Sequence, residues 1–233
     1  VQDNVAALIK MGLDNWIATS DSSLDGLSTK GAGIEFITRP DSYENHVKHF
    51  TQVFDKHGDV LANTEGCGLH VHVSREAFVD DGHIDRLAAL VESFTDAQLL
   101  RLTGRTPSSY CARQGYKTTG GKYTDIQGDR YRLINTLKGY TVEFRLCRTT
   151  KTIEKLKSRL QLILSLVNFS SIYSGHSLNI QQFFCYCENR SNEYPELWET
   201  VKPLVEHDFV DYWDTYFACL RDYAQLELPL TYA

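Results

Sequence analysis

Residues 66–75 read GCGLHVHVSR, and two imidazoles at alternate positions among apolar residues decide how the chain is read. An extended strand repeats its side-chain direction every second residue, so Leu69, Val71 and Val73 share one face. His70 and His72 share the other, about 6–7 Å apart by strand geometry. One face suits a core, and the other carries titratable groups. GIEFITRP, residues 33–40, repeats the arrangement: Ile34 and Phe36 point one way, Glu35 points the other, and Pro40 ends the strand. YTVEFRLC, residues 140–147, repeats it again, with Val142, Phe144 and Leu146 on one side and Glu143 and Arg145 on the other. NWIATS (15–20) and YRLINTL (131–137) read as further strands, the latter joined to its successor by a turn at Lys138-Gly139.

Helical spacing fills the intervals. A short helix is expected over residues 2–11, ending at Gly12. Asp41 to Glu44 has capping-box spacing and opens a helix with Val47, Phe50 and Phe54 on one face, closing at His57-Gly58. Asp80 or Asp81 caps one long helix running to about Leu102. Further helices are expected over 152–173, from Pro195 at the first helical position, and over the aromatic stretch 208–226. Strands with one apolar face, and amphipathic helices to cover it, predict an α+β fold. Its sheet is mostly antiparallel, with helices packed on one face and a polar surface on the other.

The 233 residues are 42% hydrophobic and 23% charged, which suits one ordinary globular domain, and no Pro/Ser/Gly linker divides them. No run of 18 apolar residues is present, so no membrane span is expected. A net charge of −6 argues against general nucleic-acid affinity. Charge is uneven, however: residues 101–132 carry Arg101, Arg105, Arg113, Lys117, Lys122, Arg130 and Arg132 against Asp125 and Asp129, so this segment is +5 and the remainder −11. Five glycines and four tyrosines lie in the same stretch. Such a segment suits anionic small molecules, phosphates above all, and equally suits a solvated loop. The six cysteines are irregularly spaced, which excludes a disulfide scaffold and points to a reduced, cytoplasmic protein. Cys185 and Cys187 in FFCYCEN lack a second pair at zinc-ligand spacing and read as structural.

Taken singly, each polar residue on these strands has a bland explanation. Glu35 reads as solvent-facing, the histidine pair as a partly exposed strand face, and Glu143 with Arg145 as a salt-bridge ladder worth about 0.2–1 kcal/mol. Taken together, imidazoles and carboxylates from different strands are the ligand types of a divalent cation. Magnesium prefers the oxygens, manganese tolerates nitrogen, and zinc favours the histidines. Arg145 adds a planar fork for a carboxylate or phosphate.

GCGLHVHVS, DRYRLINTL and YTVEFRL together resemble the amidoligase family, itself similar to glutamine synthetase and gamma-glutamylcysteine ligase. The motif order agrees: D-x-S at Asp21 and Ser23, G-x-E at Gly33 to Glu35, C-G-L-H-V-H-V, R-Y-x-x-x-N at Arg130 to Asn135, and T-V-E-F-R at Thr141 to Arg145. The likeness spans about residues 14–165. It implies a curved, half-barrel sheet of the glutamine synthetase catalytic type, in a domain over 1–175, with a helical extension over 176–233 packed on it. ATP would enter one end, and an amino-acid or peptide carboxylate and an amine the other.

By that likeness Glu35, His70 and Glu143 would hold Mg2+ or Mn2+. His72 would approach the nucleotide phosphates, with Arg130, Arg132 and Lys122 of the basic segment assisting. Arg145 would hold substrate or the transferred phosphoryl group, with Asp21 and Asn135 on the substrate side. Family members begin with a strand carrying E-x-E; nothing before Val5 supplies it, so either that strand is upstream of Val1 or the metal cluster is incomplete, which would leave the protein inactive or altered in function. The activity implied is ADP-forming ligation of a carboxylate to an amine, with residues 104–130 as a closing lid. Two alternatives stand beside it: a metal-dependent hydrolase, since His-x-His also suits zinc and an activated water, and a non-catalytic relative that binds or serves structurally.

Overall fold

The structure, a computed structural model of the chain, describes residues 16–21, 33–57, 67–80, 82–113, 117–119, 122–124, 130–172 and 178–208. The helix expected over 2–11, and nearly all of the aromatic helix expected over 208–226, lie outside these residues. The described residues fall into two compact units, one from Val1–Leu69 with Arg148–Leu156, the other from His70–Cys147 with Lys157–Ala233.

In the first unit, β1 (Trp16–Asp21) and β2 (Gly33–Thr38) pair antiparallel, Trp16 opposite Thr38 and Asp21 opposite Gly33. Helix α1 (Tyr43–His57) follows, and its predicted apolar face packs as expected. The Trp16 ring lies 4.8 Å from Phe50 and 6.5 Å from Phe36, and Phe50 lies 5.9 Å from Phe54. The helix is capped one residue later than its sequence suggested. Ser42 Oγ accepts the Asn45 N–H at 3.3 Å, while Asp41 Oδ1 holds the Ser42 N–H at 2.8 Å and Asn45 Nδ2 at 2.7 Å. Asp41 thus braces the cap, and Glu44 is left to the first turn. The face bearing Glu35 is mixed, not polar: Ile17 and Ile37 sit opposite each other beside it, 57% and 42% exposed.

Three further strands order as β3 (Gly68–Ser74), β7 (Thr141–Arg148) and β6 (Ile134–Asn135), with β7 central. The Arg75 N–H bonds the Tyr140 carbonyl at one end, and the Thr149 N–H bonds that of Cys67 at the other, so β3 and β7 run antiparallel. β6 is antiparallel to β7, Asn135 opposite Glu143. It is shorter than the strand predicted over YRLINTL. Tyr131 and Leu133 bond both sides of the Ala112 peptide, and Asn135 Oδ1 takes the Leu137 N–H and turns the chain away. A hairpin of β4 (Lys117–Thr119) and β5 (Lys122–Thr124) lies within the basic segment. The architecture is α+β with small antiparallel sheets, none of which closes into a barrel among the described residues.

The long helix expected to run to Leu102 is two, α2 (His83–Ser93) and α3 (Asp96–Thr103). Thr95 breaks it. Its hydroxyl accepts the Gln98 N–H at 3.2 Å and Gln98 Oε1 accepts the Thr95 N–H at 2.9 Å, a reciprocal cap that starts a new helix. Gly104 ends α3 in the left-handed region at φ 79°. Helices α4 (Ile153–Ile172), α5 (Ile180–Asn189) and α6 (Pro195–Asp208) complete the described elements. Gln161 of α4 accepts the Leu197 N–H at 2.9 Å and donates to Glu196 at 2.6 Å, satisfying the first turn of α6.

Val142, Phe144 and Leu146 are buried as their alternation required. Phe94, Phe169, Phe183 and Tyr186 form an aromatic cluster, with Phe183 edge-on to Phe94 at 5.8 Å and to Phe169 at 5.5 Å. Cys185 and Cys187 are fully buried on α5, and burial pushes the Cys187 thiol well up. No described helix is long and apolar enough to cross a membrane.

His83, at the start of α2, is a fully buried polar group with every partner placed. Its Nδ1 accepts the Val79 N–H at 3.2 Å, and its Nε2 lies 2.9 Å from both the Val167 carbonyl and Ser170 Oγ. This fixes the neutral tautomer with the proton on Nε2. Burial lowers the imidazole pKa from the ordinary 6.5, the nearby Arg86 guanidinium adding to it. As pH falls through that ordinary value, the unfolded chain binds a proton that the folded chain refuses, so stability declines. Thermal unfolding followed from about pH 7.5 down to about pH 5 is expected to show a falling Tm. His83→Gln should flatten part of that slope while costing about 1–3 kcal/mol from the partners it strands.

Candidate functional site

Glu143 stands in the middle of the central strand, and both neighbouring strands supply it with partners. From β3, His70 Nδ1 lies 3.4 Å from Oε1. From β6, Asn135 Nδ2 donates to Oε2 at 2.6 Å. Two residues along its own face, Arg145 Nη1 donates to Oε1 at 2.7 Å. The strand period and the antiparallel register produce this meeting: residues on one face of adjacent strands come within side-chain reach. The predicted wet face is covered here, since the Glu143 side chain is only 6% exposed and that of Arg145 15%.

Electrostatics follow from this packing. Burial works to raise the Glu143 carboxyl, but the Arg145 guanidinium, the Asn135 hydrogen bond and His70 outweigh it, and the group sits below its ordinary value. His70 moves down to about 4, chiefly through burial and then through Arg145, against the pull of Glu143. At neutral pH the pair is therefore a carboxylate beside a neutral imidazole. His72, on the same side of β3, is exposed, and its Nδ1 lies 3.1 Å from Thr141 Oγ1.

A shell of arginine and tyrosine surrounds Arg145. Its Nε donates to the Tyr110 carbonyl at 3.4 Å, and Arg105 Nη1 reaches the Arg145 carbonyl at 3.5 Å. The Tyr131 ring lies under two guanidinium carbons, that of Arg130 at 4.7 Å and that of Arg145 at 5.7 Å, with Tyr110 edge-on at 6.0 Å. Arg130 also donates to the Tyr131 hydroxyl. Arg132 Nη1 donates to the Arg113 carbonyl at 2.6 Å. Arg113, counted above with the anion-seeking charges, bonds instead the carbonyls of Glu92 and Phe94 and the Asp96 carboxylate, closing the gap between α2 and α3.

Of the residues expected at a site, His70, Glu143, Arg145 and Asn135 meet. Glu35 stands on β2 in the first unit, opposite Thr19. Asp21 and Lys122 occupy strand positions, and their side chains lie outside the described residues. Asn135, expected to face a substrate, is buried and committed at both ends of its amide, to Glu143 and to the Leu137 N–H at 3.0 Å. Arg75 went unremarked in the sequence. It closes the motif strand and clamps the 136–140 turn through Nη2 to Thr136 O at 2.5 Å and Nε to Lys138 O at 3.0 Å. The available signal was its place directly after the H-V-H strand, opposite a Lys-Gly turn whose carbonyls need donors. Tyr131 was likewise passed over.

Toward a divalent cation, the donor chemistry fits at two positions: an ionised carboxylate and a neutral imidazole give up no proton on binding. Among the described residues, no group of three or more His, Cys, Asp or Glu side chains is gathered to hold a metal ion. Compared with protein-family models, with curated proteins and with solved structures, the chain matches none.

The Glu143–Arg145 pair sets a stability test. Glu143→Leu strands a largely buried guanidinium and should cost about 3 kcal/mol in urea unfolding, whereas Glu143→Leu with Arg145→Met should recover most of it. Equal losses in the single and double variants would show that the two charges do not depend on each other.

Proposed function

We propose that the chain carries the site of an ATP-dependent carboxylate–amine ligase of amidoligase type, which forms an amide or isopeptide bond through an acyl phosphate. One observation supports this above the rest. The H-V-H and T-V-E-F-R motifs, distant in sequence, lie on adjacent strands with His70, Glu143 and Arg145 at one point. Under this reading β3, β7 and β6 belong to a half-barrel sheet of the glutamine synthetase type. The substrates are an amino-acid or peptide carboxylate and an amine, with no nucleic acid involved. The five described cysteines are free thiols, which supports a reducing, cytoplasmic setting.

A free carboxylate is a poor acyl donor, and transfer of the γ-phosphoryl group turns it into a good one. The amine then attacks the acyl carbon and phosphate leaves. The protein's task is positioning and charge neutralisation. Arg145 and Arg105 act on the point where His70 stands, and Arg130 acts on Glu143. With His70 neutral, these guanidiniums exceed the single carboxylate and favour an anion. Arg145, fixed by Glu143, Tyr110 and Tyr131, presents an oriented fork to a carboxylate or phosphoryl group. Mg2+ or Mn2+ would be held by His70 and Glu143 and would neutralise phosphate charge.

A second reading, a non-catalytic ligand-binding relative, is favoured by one fact: Arg145 already matches the Glu143 charge. Measurement of ADP release with Mg2+ or Mn2+ and a panel of acids, amines and peptides separates the two. Release that needs both a carboxylate and an amine is expected, falling roughly a hundredfold in His70→Ala and in Glu143→Gln. Activity surviving both variants removes the assignment, and nucleotide binding without turnover supports the second reading.

A further inference from the structure

We propose that Arg75 is a positioning residue for the Glu143 carboxylate, acting through the turn at residues 136–140 and the side-chain amide of Asn135. The functional weight of this inference rests on the ligase reading, but the contacts themselves do not. Three hydrogen bonds tie Arg75 to the turn: its N–H to Tyr140 O at 3.0 Å, Nε to Lys138 O at 3.0 Å, and Nη2 to Thr136 O at 2.5 Å. Among the described residues no other side chain donates to those carbonyls, and a rigid fork reaching two carbonyls of one turn fixes its path better than a point charge does.

The turn in turn fixes Asn135. The Leu137 N–H is a donor only, so the atom that meets it at 3.0 Å is the amide oxygen. The amide nitrogen is thereby aimed at Glu143 Oε2, 2.6 Å away. The ionised carboxylate accepts only from the nitrogen end, and the Leu137 N–H holds the oxygen end in place, so the two contacts fix the same orientation of the amide. The flipped form would set oxygen against a buried carboxylate, and repulsion would turn one of them away. Arg145 and His70 meet Glu143 Oε1 and Asn135 meets Oε2, so Asn135 holds the second oxygen and completes the fixing of the carboxylate's rotation. A chain of directional contacts therefore runs from the end of β3, through an exposed turn, to the centre of β7. Leu137 and Tyr140 in that turn are 54% and 91% exposed, so apolar packing does not hold it and the hydrogen bonds must.

The test is nuclear magnetic resonance of the full chain, 15N-labelled, reading the Asn135 side-chain amide in Arg75→Ala, Arg75→Lys and Leu137→Pro. Leu137→Pro removes the one N–H in question and leaves Arg75 in place. In Arg75→Ala and in Leu137→Pro, the two Asn135 amide protons are expected to move toward free-amide positions and to exchange about tenfold faster, while the backbone amides of β7 keep their protection. Arg75→Lys should fall between these and the unaltered chain. An Asn135 signal unchanged in Leu137→Pro, or equally unchanged in both arginine variants, overturns the proposal. Should Arg75→Ala fail to fold, the other two variants decide. None of these readings needs nucleotide or turnover, so a protein that releases no ADP still tests the relay. In an active protein, Arg75→Ala should lower kcat with little change in the KM for ATP, and Arg75→Lys should restore part of it.

Discussion

A carboxylate in the middle of a central strand, removed from water, must be matched or it will not stay charged. Desolvating such an ion costs several kcal/mol, and only close, well-oriented partners offset that cost. Glu143 has them on each side: Arg145 along its own strand, His70 from one neighbour and Asn135 from the other. Two of these partners are in turn held by something else. Tyr110 and Tyr131 fix Arg145, and the Leu137 N–H fixes Asn135. This sheet is narrow, and the carboxylate is where its three strands are joined by side chains as well as by backbone.

Arginine does a second kind of work here, outside ion pairing. Chain segments that leave helices and ladders carry carbonyls without partners, and buried carbonyls need donors. Arg75 serves the 136–140 turn, Arg86 the end of α4 at Ser170, Arg113 the end of α2 at Glu92 and Phe94, and Arg132 the Arg113 carbonyl. Much of the positive charge clustered over 101–132 is therefore spent on the protein's own backbone. Composition shows the charge, but it cannot show which guanidiniums are already committed. Arg130, by contrast, is exposed and rests on the Tyr131 ring.

The alternation of Val142, Phe144 and Leu146 with Glu143 and Arg145 was legible because a strand's period is fixed by its geometry. The same holds for GLHVHVS and GIEFIT. The boundary at Thr95 was also legible in principle, since T-D-A-Q is a capping box set within a helical run; the surrounding apolar spacing concealed it. Ser42 displaced Asp41 as cap by one position, where either residue type would serve. What no local pattern could reveal is depth. Glu143 and Glu35 occupy equivalent places in their strands, yet one is buried beneath its partners and the other lies beside two exposed isoleucines. Burial of a polar residue is set by what neighbouring strands contribute, and that information lies far away in sequence.

The same distinction bears on what the site can accept. A carboxylate with both oxygens engaged is held in one orientation, which is what a reaction dependent on positioning requires. It also resists change: a cation approaching Glu143 must displace a guanidinium at 2.7 Å, whereas an anion approaching Arg145 need only share a fork that has donors on two edges. In the arrangement described, recognition of negative charge is therefore the cheaper event, and any cation gains most by arriving together with an anion that draws Arg145 aside. Under the ligase reading, a metal–phosphate complex would meet both demands at once, while a bare cation or a neutral ligand would meet neither. On that reading, the charges of the pair would discriminate among ligands before shape does.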